Sequence, residues 1–74
     1  MNPTKCIRFN NYLSKLRKEG IITAERSRTL AEKFIRVKDI SEIMDEIILL
    51  EVKEEKRSWF EAFIDQLISD PVLN

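Results

Sequence analysis

The sequence predicts an all-α fold, a compact antiparallel bundle of four to five helices, on three observations. Its 74 residues are 43% hydrophobic and 35% charged with one Gly and two Pro, a composition that suits packed helices rather than a disordered chain. Apolar residues recur at helical spacing in four separate segments, and strand-type alternation is absent. Each segment is bounded by residues that start or stop helices. No internal repeat, low-complexity tract or Gly/Ser linker divides the chain, so residues 1–74 read as one domain. A chain of this size buries only roughly 60% of its unfolded surface, so the margin of stability is thin.

The first helix begins at the pair Asn2 and Pro3, a cap and first-turn combination, or nearer Phe9. Phe9, Tyr12, Leu13 and Leu16 share one side of it. Lys15, Arg17 and Lys18 crowd its last turn, where cations complement the helix dipole, and Gly20 supplies a left-handed residue to close it. Thr23 caps the second helix, whose buried face is expected to be Leu30, Ala31, Phe34 and Ile35 opposite Arg26, Lys33 and Arg36. Asp39 and Glu42 stand at capping-box spacing before a third helix with Ile40, Ile43, Met44, Ile47 and Leu50 facing inward. Leu49 and Val52 fall on other sides. The run from Val52 to Arg57 is a polar link or solvated helix end. Ser58 and Glu61 then form a second capping-box spacing, opening a helix with Trp59, Phe60, Phe63, Ile64 and Leu67 in one stripe. Pro71 forbids its continuation.

The net charge is zero, yet charge is unevenly placed. Residues 1–18 carry Lys5, Arg8, Lys15, Arg17 and Lys18 without an acid. Residues 39–55 carry Asp39, Glu42, Asp45, Glu46, Glu51, Glu54 and Glu55 against Lys53 alone. Such a dipolar layout suits head-to-tail self-association or a partner of opposite pattern; ordinary solvated helix faces are the other account. Leu49, opposite the inner face of its helix, is an interface contact or a scattered exposed leucine.

Chemistry-bearing patterns are missing. There is no His, no Cys pair and no Gly-rich phosphate loop, and the carboxylates lie on a helix surface, so no enzyme, metal or cofactor is expected. Trp59, Phe60 and Phe63 have the spacing of core residues, not of a base-stacking platform. Cys6 reads as a small apolar helix residue. The longest apolar run, Ile47 to Leu50, is far below the roughly 20 residues of a membrane span, and no signal-peptide layout opens the chain. A soluble, cytoplasmic protein is expected, without membrane contact.

Read together, the segments resemble a known family. A helix, the turn Glu19-Gly20-Ile21-Ile22-Thr23 with Glu25, a charged helix, an apolar helix, and Trp59-Phe60 followed by Phe63-Ile64 look like the later helices of a caspase recruitment domain. The likeness is to those of antiviral RNA-sensing helicases, and it spans Asn10 to Leu73. That family has six helices, and only about nine residues precede Asn10. Pro3 to Phe9 is then a remnant of a truncated death-fold bundle, or the chain is a four- or five-helix bundle sharing the pattern. The resemblance implies a non-enzymatic module of homotypic assembly, acting as nucleator, decoy or regulator of a larger signalling protein. It implies a basic side at Lys15, Arg17 and Lys18 and an acidic side at Asp45, Glu46 and Glu51. It implies a protein partner, a second copy included.

Two other classes compete. Residues 11–37 read as helix, Gly-containing turn and helix with Arg26, Arg28, Lys33 and Arg36, the outline of a helix-turn-helix DNA binder. The long turn, the zero net charge and the acidic third helix oppose nucleic-acid binding. A small helical inhibitor docking on an unrelated protein also fits the size and the absence of a catalytic constellation.

Overall fold

The computed structural model describes residues 3–74 and contains four α-helices and no strand among them. Helix α1 (Pro3–Lys18) starts at the earlier of the two predicted positions, with Pro3 in its first turn; Asn2 lies outside the described residues. Its end is a Schellman closure. Gly20 takes φ 74°, the Gly20 N–H donates to the Arg17 carbonyl at 3.0 Å, and the Ile21 N–H donates to the Leu16 carbonyl at 3.0 Å. Helix α2 (Ala24–Arg36) is capped as expected, the Thr23 hydroxyl accepting from the Arg26 N–H at 3.0 Å.

Helix α3 (Ser41–Ile48) is introduced by a modified box. Glu42 accepts from the N–H groups of Lys38 and Asp39 at 2.7 and 3.2 Å, while Asp39 accepts from the Ser41 N–H at 2.9 Å. Ser41 also donates its hydroxyl to Asp39, and this contact holds the Asp39 carboxyl below its ordinary pKa. A 3₁₀ turn, Glu54–Lys56, runs directly into helix α4 (Arg57–Ser69).

Three expectations are corrected. The Ser58–Glu61 box does not form, because α4 continues from the 3₁₀ turn and its N-cap position is Lys56. Ile35 is not buried; it is 54% exposed, because it lies beyond the Ser27–Leu30–Phe34 line that α2 turns inward. Val37, after the helix end, packs on the core in its place. Leu50 and Val52 both pack partly against the core from outside α3, since the chain turns back after Ile48.

The helices pack antiparallel where cross-links define direction. Phe9 in the first half of α1 stacks on Phe34 near the end of α2, with centroids 4.2 Å apart, and Arg17 near the end of α1 reaches Ser27 near the start of α2. Arg8 meets Asp70 beyond the end of α4, and Glu19 meets Lys56 before its start. Leu16, Leu30, Ile43, Ile47, Leu67 and Leu73 are fully buried at the centre. The radius of gyration, 11.6 Å, matches the about 11 Å of a compact chain of this length.

Candidate functional surfaces

Helical geometry decides how the basic residues of α1 are distributed. Residues two apart on a helix point to nearly opposite sides, and residues three apart share a side. Lys15 and Lys18 therefore lie together, while Arg17 turns the other way and donates through Nη1 to the Ser27 hydroxyl at 2.7 Å. Ser27 is buried between α1 and α2. Arg17 is thus a tether for α2. Lys15 lies over the Tyr12 ring, 5.3 Å from its centroid, and among the described residues neither Lys15 nor Lys18 forms an ion pair.

The side of α1 that carries Lys15 and Lys18 borders α4 and leaves two adjoining hollows of about 490 and 340 Å³. Arg8, Asn11 and Lys18 line the first; Trp59, Ala62 and Phe63 line the second; Lys15 and Gln66 belong to both. Trp59 is half-buried here, stacked on Phe63 with centroids 5.4 Å apart, so the stripe of α4 is not wholly interior.

Beneath one end of this groove sits a buried carboxylate. Asp70 accepts from the Tyr12 hydroxyl at 2.6 Å, from Arg8 Nε at 2.7 Å and from the Val72 N–H at 2.9 Å. Hydrogen bonding by Tyr12 and then Arg8 holds its pKa down to about 2. Burial, and then the bond to Asp70, push the Tyr12 hydroxyl up, and the Asp70 bond raises Arg8. Sequence inspection offers no sign of this cluster, because Arg8 and Asp70 are 62 positions apart.

The acidic residues are likewise divided. Asp45 is exposed on the outer face of α3 without an ion pair among the described residues, whereas Glu46 is partly buried and paired with Lys33 of α2 at 2.8 Å. Leu49 closes α3 on the same side as Asp45, its N–H donating to the Asp45 carbonyl at 3.1 Å, and is 80% exposed. Glu51 follows on the exposed connection to the 3₁₀ turn. With Leu49, Lys53 and Arg57 it borders an open depression of about 790 Å³. Of the seven residues singled out, Lys15 with Lys18 and Asp45 with Leu49 form two groupings; Glu51 lies beside the second; Arg17 and Glu46 serve contacts between helices.

Among the described residues no cluster of three or more His, Cys, Asp or Glu is placed to hold a metal ion. None of the described helices is long and apolar enough to cross a membrane. The described residues form an all-α helical bundle. Comparison with family models, with curated proteins and with solved structures returns no match.

Proposed function

We propose that the chain is a non-enzymatic protein-interaction module of caspase-recruitment type. It assembles with further copies, or with domains of like build, by bringing a basic face onto an acidic one, and so regulates, nucleates or blocks assembly of a larger signalling protein in the cytoplasm. The observation that supports this reading is the set of charges the fold leaves unused. Among the described residues, Lys15 and Lys18 of α1, and Asp45 of α3 with Glu51 after it, make no ion pair. Arg8 of α1, Glu46 of α3 and Glu19 in the turn after α1 are paired. Charges kept unpaired on separate faces add little to stability and much to the orientation of an encounter.

The test is the mass in solution by light scattering after gel filtration at low and high salt. The expected result is a concentration-dependent assembly that dissolves as salt rises, because screening shortens the reach of exposed charges to about 10 Å at 0.1 M. Lys15→Glu with Lys18→Glu abolishes assembly while helicity persists. Arg17 is left in place because it anchors Ser27. A species of constant mass at every salt and concentration overturns homotypic assembly.

A further inference from the structure

We infer that the groove between α1 and α4 is a docking seat for an acidic peptide segment that presents an aliphatic residue on the same side. The two hollows share Lys15 and Gln66 as lining, and the first follows α1 from Arg8 to Lys18, about 15 Å at the helical rise of 1.5 Å per residue. That length spans two to three turns of a docked helix or about five residues of extended chain. No acidic side chain lines either hollow. Lys15 and Lys18 are unpaired cations, and Arg8 spends its Nε on Asp70 while half its side chain remains exposed. The compensating Asp70 carboxylate lies behind the groove with 1% of its side chain exposed, so the groove itself presents positive charge. Asn11, Ser14 and Gln66 add amide and hydroxyl donors beside these cations, the groups that a row of carboxylates accepts from.

At the α4 end the lining changes character. Trp59, Ala62 and Phe63 form an apolar floor, which desolvates an aliphatic side chain and supplies the non-polar anchor that charge pairing alone does not. A polynucleotide fits less well. One face of Trp59 is already stacked on Phe63, and Lys15 covers the Tyr12 ring, so the aromatic groups make a floor rather than a stacking platform. The net charge of zero also withholds the long-range attraction that nucleic-acid binders rely on. The inference builds on the interaction-module reading and adds the chemistry of the partner, but its geometry does not require self-association.

Trp59 is the only tryptophan in the chain, so its emission reports directly on the groove. The experiment titrates the full chain, at a concentration where scattering gives the monomer mass, with a peptide of about fourteen residues, four helical turns, built of Glu with one row of Leu. The same peptide with Lys for Glu and a short oligothymidylate are titrated in parallel. The expected result is a saturable shift of Trp59 emission with the Glu/Leu peptide alone, weakening about tenfold or more with added salt. Lys15→Glu with Lys18→Glu removes the shift, and the milder Lys18→Gln weakens it. Arg26→Glu with Arg28→Glu, on the exposed side of α2, leaves it unchanged. No shift with the Glu/Leu peptide, equal binding of the Lys peptide, tighter binding of oligothymidylate, or indifference to the Lys15 and Lys18 changes overturns the inference. Scattering without peptide is read separately. A chain that binds peptide but never self-associates loses only homotypic assembly, and one that assembles but ignores peptide loses only the acidic-segment seat.

Discussion

The seam between α1 and α4 and the attachment of α3 hold their helices by different means. The seam is cross-linked at both ends by ion pairs, Arg8–Asp70 and Lys56–Glu19, each at 2.7 Å. Between them Tyr12 meets Phe63 edge-on at 5.7 Å. Helix α3 is anchored by Ile43, Met44 and Ile47, with Ile40 just before it, and among the described residues has a single ion pair, Lys33–Glu46, with both side chains partly exposed. The difference teaches where stability and recognition can reside in so small a chain. Directional bonds fix the angle of α4 on α1 and leave a firm groove above them. Apolar burial, with the one Lys33–Glu46 pair beside it, holds α3, and Asp45 on its outer face takes no part in that attachment.

The sharpest way to break this comparison is to remove apolar contact under α3. Ile47 is fully buried, and Ile47→Ala is expected to cost about 2–5 kcal/mol, a large share of the about 5–10 kcal/mol available to a small domain. Urea denaturation measures the cost, and amide exchange locates it. The amides of α3 should lose protection first while those of α1 and α4 keep most of theirs. Equal loss in all helices would make α3 part of one cooperative unit and erase the distinction.

A smaller effect is expected at the other region. Asp70→Asn keeps the shape but removes the negative charge that orders Arg8 and Tyr12. Because the folded pKa of Asp70 is depressed to about 2 from an ordinary 3.8, its contribution is fully present only above about pH 5. It is lost as pH falls from about 5 through about 2. Thermal unfolding across that range should show a fall in the wild type that is shallower in Asp70→Asn, the remaining slope including Asp39, which is also depressed. Tyr12→Phe, which deletes one hydrogen bond to Asp70, should cost about 1 kcal/mol. A wild type and an Asp70→Asn variant with the same acid limb would show that the seam does not depend on this carboxylate.

These two regions also differ in how far they can be read from the chain. Local signals did their work where the responsible partners are neighbours in sequence. Gly20 closes α1 by a bond between residues 16 and 21, and Thr23 caps α2 from three residues away. Periodicity identified most of the core, but it misassigned Ile35, since the rim of an apolar stripe is settled by what packs against it. The Ser58 box failed because the preceding 3₁₀ turn already supplies the entry to α4. The resemblance grouped Arg17 with Lys15 and Lys18 as one basic side, and the structure divides them, because Ser27, the partner that claims Arg17, becomes visible only in three dimensions. Pro71 was legible as the stop of α4, but Asp70 before it was not legible as a clamp, because Tyr12 lies 58 positions away. The groove it supports was hidden for the same reason, being shared between the first helix and the last.

The smallest expected change in stability tests the free face of α3 most directly. Leu49 is 80% exposed, so Leu49→Ser removes almost no buried area, and the fold should change by less than about 0.5 kcal/mol. If Asp45, Leu49 and Glu51 form an acidic face with an apolar centre, the same substitution should reduce assembly measurably by light scattering while the melting temperature stays put. Charge reversal at Asp45 should do so in a salt-dependent way, because it acts through the encounter; Leu49→Ser should do so with little salt dependence, because it acts through desolvation. Assembly that survives Leu49→Ser but not Asp45→Lys would make this face purely electrostatic. Its leucine would then be one more scattered surface residue, and the contrast with the aromatic-floored groove across the molecule would become sharper still.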